Sequence, residues 1–186
     1  MFRSKLFQKS WHDVHAHFQR QAIADVEQLD EKMLFDPQLA GAFQRIVAKY
    51  TFQVAKLDSQ PGTAKPTKFD TGRASVDALN VPIPFTGDAV SFEISPPHSN
   101  VISPPDVEVQ KGQVIVTVYE QHGNPGQEIL DFIERSNENL DRLREEVKRY
   151  DGELLKTVTQ SAERRKSAIE ERRKRDEKLP FRVDRS

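Results

Sequence analysis

NPGQEILDFIERSNENLDRLREEVKRYDGELLKTVTQSAERRKSAIEERRKRDEK, residues 124–178, decides how this chain is built. Asn124 is a helix-capping residue type. Pro125 suits the first helical turn, where its missing amide has no intrahelical partner to lose, and Gln127 stands where a capping-box side chain belongs. Helix-compatible sequence then continues to about Lys178. Along it Ile129, Ile133, Ser136, Leu140, Leu143, Val147, Tyr150, Leu154, Thr157 and Ser161 alternate steps of four and three. That heptad spacing predicts a coiled-coil-like seam shared with another helix, inside the same molecule or outside it. Its core is Ile129, Ile133, Leu140, Leu143, Val147, Tyr150 and Leu154. Gly152 costs about 1 kcal/mol relative to alanine in a helix, so the sequence is compatible with one long helix or with a hairpin cornered there. A continuous helix would run roughly 75 to 80 Å, with its final turns unpacked or bound to a partner.

Upstream, apolar residues recur at helical steps from Phe7 to Met33 (Phe7, Trp11, Val14, Phe18, Ala22, Val26, Leu29, Met33). They predict an amphipathic helix over residues 5–34. Asp36 and Pro37 read as a cap and first-turn proline for a second helix over 37–50, with Leu39, Phe43, Ile46, Val47 and Tyr50 buried. Between residues 51 and 120 proline and glycine become frequent and the apolar runs are short and β-branched or aromatic. Strands are expected at 51–57, 68–76, 81–85, 90–94, 107–110 and 113–119. The last pair is a hairpin, because Val107 and Val109 alternate with polar residues, Lys111 and Gly112 turn the chain, and Val114, Val116 and Val118 resume the alternation. SQPGTAKP (59–66) and SPPHSNVISPPD (95–106) read as loops, since each proline removes an amide donor. The expected class is therefore α+β, with an α+β head over 1–124, a long C-terminal helix or helical hairpin over 125–178, and a tail over 179–186.

Composition bounds the chemistry. Of 186 residues, 36% are hydrophobic and 31% charged, above the roughly 25% usual for globular chains, which suits a long solvated helix. A net charge of -1 gives no overall bias toward nucleic acid or anionic membranes. No cysteine is present, so disulfides and thiolate chemistry are excluded. The opening MFRSKLFQKSWHD lacks the apolar run of a signal peptide, and no stretch approaches the ~20 apolar residues that span a bilayer, so a cytoplasmic location and no membrane partner are expected.

The densest polar cluster is WHDVHAH, where His12 and His15 share one helix face and Asp13 and His17 another. A metal-dependent enzyme built on His12, His15 and His17 would need further ligands, and there is neither an HExxH motif nor a cysteine. The ordinary reading is of surface histidines flanking the apolar stripe. Asp106, Glu108 and Lys111 superficially suggest a nuclease centre, but they crowd one hairpin edge and read instead as the polar side of a half-exposed strand. His98 and His122 stand in loops without a nucleophile beside them, and no phosphate-binding glycine loop or serine elbow occurs. No cofactor is expected. Arg164, Arg165, Arg172, Arg173, Lys174 and Arg175 could follow a nucleic-acid backbone if one helix face collected them, although Glu163, Glu170, Glu171, Asp176 and Glu177 nearly neutralise the run.

VPIPFTGD (81–88), SPPD (103–106), the helix from Gln127 and the closing LPFRVDR (179–185) together carry a family likeness. Their order resembles the N-terminal region of certain bacterial proteins of unknown or defence-related function, in which a restriction-endonuclease-like domain follows the long helix. The likeness covers most of the chain. Ser186 stands about where that nuclease domain would begin, so no catalytic residue of the family has a matching position. The resemblance implies a sensor, scaffold or assembly module in anti-phage defence, non-enzymatic by itself. It would associate with itself or with a protein partner through the C-terminal helix, with nucleic-acid binding as the alternative.

Overall fold

The structure, a computed structural model, describes residues 6–70, 75–99, 106–120 and 123–181. His122, the second SPP and the tail beyond Phe181 lie outside the described residues. The class is α+β, with helices, an antiparallel sheet, a separate parallel strand pair and a long C-terminal helix. The chain divides into two compact units, one of Met1–Val14 and Phe52–Lys148, the other of His15–Thr51 and Arg149–Ser186. Each unit is thus built from two segments far apart in sequence.

Among the described residues the first unit holds a two-stranded sheet and a five-stranded one. Strand β1 (Lys9–Ser10) pairs in parallel with β5 (Ile94–Ser95). Strands β2 (Lys56–Leu57) and β3 (Lys65–Asp70) both pair with the long β4 (Ser75–Thr86), whose other edge carries β7 (Gln113–Tyr119) and then β6 (Val107–Gln110). The hairpin predicted at 107–119 is present in the expected alternation. Val114, Val116 and Val118 are buried, and Val81 and Ile83 lie opposite Val116 and Val114 on the same face.

Two prolines explain why the strand antiparallel to β4 is interrupted. Pro82 and Pro84 offer carbonyls to Gly62 N–H at 2.7 Å and to Asp58 N–H at 2.8 Å, but no amide in return. A ladder cannot continue opposite residues that only accept. Residues between β2 and β3 therefore follow β4 as an irregular segment. The strand expected over 51–57 is Lys56–Leu57 alone. The expected strand at 90–94 is a 3-10 turn, Ala89–Glu93, leading into β5.

Segment 53–57 is held from several sides. Asp88 N–H donates to Gln53 O at 2.8 Å and Asp88 Oδ2 accepts from Gln53 N at 2.7 Å. Ala55 N–H donates to Ser91 Oγ at 3.0 Å, and Ala55 O accepts from Arg144 Nη2 at 3.1 Å. Leu57 N–H donates to Asn137 Oδ1 at 2.9 Å while Asn137 Nδ2 donates back to Leu57 O at 3.1 Å. Gly87, at φ 86°, passes so close that an added Cβ would lie 2.9 Å from Ala55 Cα, Gln53 O and Val54 O. Only glycine tolerates both that backbone and that approach.

The second unit is helical. Helix α1 (Trp11–Glu27) starts in the first unit and ends at Glu27, well short of the expected Leu34. Asp30 caps the separate short helix α2 (Glu31–Leu34) by accepting from Lys32 N at 2.7 Å, so the continuous helix expected over 5–34 is corrected to two. Met33, expected on the apolar face, is exposed, and Leu34 is buried instead. Helix α3 is Leu39–Lys49, preceded by an Asp36 turn in which the carboxylate accepts from Gln38 N at 2.7 Å.

Helix α4, Pro125–Asp176, is one uninterrupted helix of 52 residues, helical through Gly152, which removes the hairpin alternative. Asn124 Oδ1 accepts from Gln127 N at 3.3 Å, as the capping sequence predicted. The Gln127 side chain points onward to Asp131 rather than back to the cap. Beyond Leu154 the buried stripe continues through Val158, Ala162 and Ile169 rather than through Thr157 and Ser161. With half-buried Arg165 between them, the stripe averages about 3.6 residues per turn. That is the period of a straight helix and not the 3.5 of a left-handed coiled coil.

Candidate functional site

The seam residues Ile129, Ile133, Leu140, Leu143, Val147, Tyr150 and Leu154 are all buried within the chain itself. The stripe is thus buried without a second molecule.

The basic run is engaged in the same way. Arg165 donates to Val26 O at 2.8 Å, with Glu27 3.8 Å from its Nε. Arg172 and Arg173 both pair with Glu31 of α2. Phe35 lies beneath Arg173 and Lys166, 4.7 and 5.0 Å from its ring centre. Arg175 turns back to Glu171 O at 3.4 Å. Arg164 and Lys174 are exposed. The arginines read from sequence as a track for phosphates thus act largely as clamps on α1 and α2, a use invisible without Glu27, Glu31 and Phe35 in place.

The histidines are separated by role. His12 is exposed beside a concavity of about 360 Å3 whose walls include Phe7, Trp11, Pro96 and Pro97. His15 is half-buried, edge-on to Tyr150 at 4.6 Å between ring centres and 3.9 Å from Glu153. His17 is exposed beside Phe18. Among the described residues no three histidine, aspartate or glutamate side chains converge as a metal site. Asp106 accepts from Tyr119 Oη at 3.3 Å and Glu108 from Gln110 Nε2 at 3.1 Å.

Two carboxylates of the second unit respond to pH in opposite senses. Asp25 accepts from Lys49 Nζ at 2.8 Å and from Tyr50 Oη at 2.9 Å, and these bonds, Lys49 first, hold its carboxyl below the ordinary 3.8 against partial burial. Its contribution to stability is present above 3.8 and is lost as pH falls through the lowered native value. Burial pushes Asp151 the other way, and its Oδ1 has no hydrogen-bond partner among the described residues. A raised native value means that protonation favours the fold, a contribution complete below 3.8 and lost as pH rises through the native value. Asp151→Asn is therefore expected to raise the melting temperature near neutrality and leave it unchanged in acid. Asp25→Asn is expected to lower it near neutrality. Thermal melts of both variants at about pH 3 and about pH 7 check the signs.

Sequence reasoning missed one concavity altogether. About 420 Å3 in volume, it lies where β2 meets the end of β4 and the flank of α4. Leu57, Pro84 and Phe85 give it apolar walls, and Lys56, Asp58, Ser59, Thr86 and Asn137 supply the polar ones. Phe85 is steadied by an edge contact with buried Phe92, 5.0 Å between ring centres. The residues come from three stretches far apart in sequence, so no local motif announces them.

At the other end of α4, Leu179 and Phe181 are 41% and 63% exposed, directly after the cationic last turn with Arg173, Lys174 and Arg175. No helix among the described residues is long and apolar enough to cross a membrane. No family model, curated protein or solved structure matches the chain.

Proposed function

We propose that this chain is a non-enzymatic interaction and assembly module, with the distal end of α4 as its docking element. The observation that carries the reading is the exposed pair Leu179 and Phe181 beside a cationic helix terminus. Large apolar side chains at the end of a strongly charged helix are anchors of the kind that protein partners bury, with rim charges setting orientation and encounter rate. The buried seam redirects the assembly hypothesis from the middle of the helix to its end. The resemblance to the N-terminal regions of bacterial defence-related proteins supports a cytoplasmic role in anti-phage defence beside a separate effector.

The test is cross-linking of the chain in its native host, followed by light scattering of the purified protein. Cross-links from Lys174 and Lys178 to one partner, or to a second copy, are expected, with capture reduced roughly tenfold by Phe181→Ser. A monomer whose cross-links ignore this region would defeat the reading. Charge reversal at Arg164 and Lys174 separates the nucleic-acid alternative, because it would abolish salt-dependent duplex binding without touching the Glu31 clamps.

A further inference from the structure

We propose that the concavity beside the start of α1 is a binding site for an uncharged adenine nucleoside. This inference stands independently of the docking reading, which concerns the other unit.

Its basis is a set of unengaged polar side chains beside apolar walls. The concavity lies where β1 and β5 end together, β1 running into α1 and β5 into Pro96 and Pro97. Gln8 joins the β1 ladder, its N–H donating to Glu93 O at 3.0 Å. Gln8 and Ser10 are two apart on this extended stretch and share a face, and Ser95 lies beside Ser10 in the parallel register. All three line the concavity, as does His12 from the first turn of α1. Ser95 Oγ is bonded to Ser99 Oγ at 2.8 Å, whereas the side chains of Gln8, Ser10 and His12 have no hydrogen-bond partner among the described residues. Phe7, Trp11 and the two prolines form the apolar walls, with Trp11 held edge-on to Phe52 at 6.4 Å between ring centres.

Backbone strain gathers at the same place. Among the described residues only Phe7 and His98 carry a side chain on a left-handed backbone, at φ 54° and 55°. Phe7 lines the concavity, and His98 follows Pro97, which also does. Strain of this kind clusters at ligand sites. At Phe7 it has a geometric use, because a regular strand sends successive side chains to opposite faces. The left-handed turn lets the Phe7 ring and the Gln8 amide border one concavity, and Phe7 N–H holds it by donating to Phe92 O at 2.7 Å.

No lysine, arginine, aspartate or glutamate lines the site, and Lys9, between Gln8 and Ser10, is paired with Glu93 at 2.5 Å. A phosphate or an ammonium group would find no fixed counter-charge, so the ligand is uncharged. Gln8 offers a donor beside an acceptor, the pattern that pairs in bidentate fashion with the N6 amine and N7 of adenine. Aromatic and proline rings suit the flat face of a base, and Ser10 and His12 remain for the ribose hydroxyls. A volume of about 360 Å3 falls within the ~300 to 1,000 Å3 of small-molecule sites.

Amide-resolved NMR titration of the full chain with adenosine tests the proposal. Saturable shifts at Gln8, Ser10, His12 and Ser95 are expected. Inosine presents two acceptors where adenosine presents a donor and an acceptor, and should bind roughly tenfold more weakly. Adenosine 5′-monophosphate should bind no more tightly than adenosine. Gln8→Leu, at an exposed position, should erase the difference between adenosine and inosine. Absence of saturable shifts would overturn the site. Tighter binding of the monophosphate would overturn the uncharged-ligand assignment. Equal binding of adenosine and inosine, or a difference indifferent to Gln8→Leu, would overturn the adenine assignment.

Discussion

Gly87→Ala is expected to melt roughly 12 °C below the parent protein, a loss of about 4 kcal/mol. Two effects add. At φ 86° the backbone lies in the left-handed region, where a side chain costs on the order of 1 to 2 kcal/mol. The new Cβ would also stand 2.9 Å from three backbone atoms of segment 53–55, and backbone cannot rotate aside as a side-chain tip can. Overpacking of that kind costs about 1 to 3 kcal/mol. Gly112→Ala is the internal control, because its φ is 77° but nothing lies within 4 Å of the point its new methyl would occupy. It should show the strain alone, about 3 °C. Thermal circular dichroism of the two variants decides: equal losses would mean that the close approach of Gly87 to residues 53–55 contributes nothing.

Leu140→Ala should cost about 3 kcal/mol, since the side chain is completely buried and its removal leaves a cavity the surroundings fill only partly. Leu130→Ala, ten residues earlier on the same helix but 51% exposed, should change stability by less than about 0.5 kcal/mol. Chemical denaturation measures both. The pair distinguishes a stripe covered by the chain's own residues from one that awaits a second copy. In the first case the parent midpoint is independent of protein concentration, as expected here; in the second it rises with concentration.

Much of this was legible in the sequence, for identifiable reasons. The cap at Asn124 with Pro125 announced the start of α4, and the alternating valines announced the β6–β7 hairpin, because both signals are local. The heptad reading of α4 went astray after Leu154 for a small numerical cause. Periods of 3.5 and 3.6 differ by about a tenth of a residue per turn, and only over many turns does the straight helix select Val158 and Ala162 over Thr157 and Ser161. The break between α1 and α2 was hidden because the apolar spacing runs on through Leu29 and Met33, while Asp30 ends the helix by capping the next. Val90 to Ile94 has strand-forming residues but turns, because Ser91 N–H donates to Asp88 O at 3.1 Å and Ser91 Oγ serves Ala55. The basic run was seen and its partners were not, since Glu27 and Glu31 lie more than a hundred residues away in sequence. The concavity beside β2 was unreadable for the same reason: Lys56, Thr86 and Asn137 share no sequence neighbourhood.

The reciprocal amide bonds of Asn137 reach beyond local stability. An outer strand normally shows a row of free donors and acceptors on which any extended peptide can template itself, the first step toward fibrous aggregation. By answering both backbone groups of Leu57, one carboxamide from a helix impersonates the missing neighbour and closes that stretch of border to strangers.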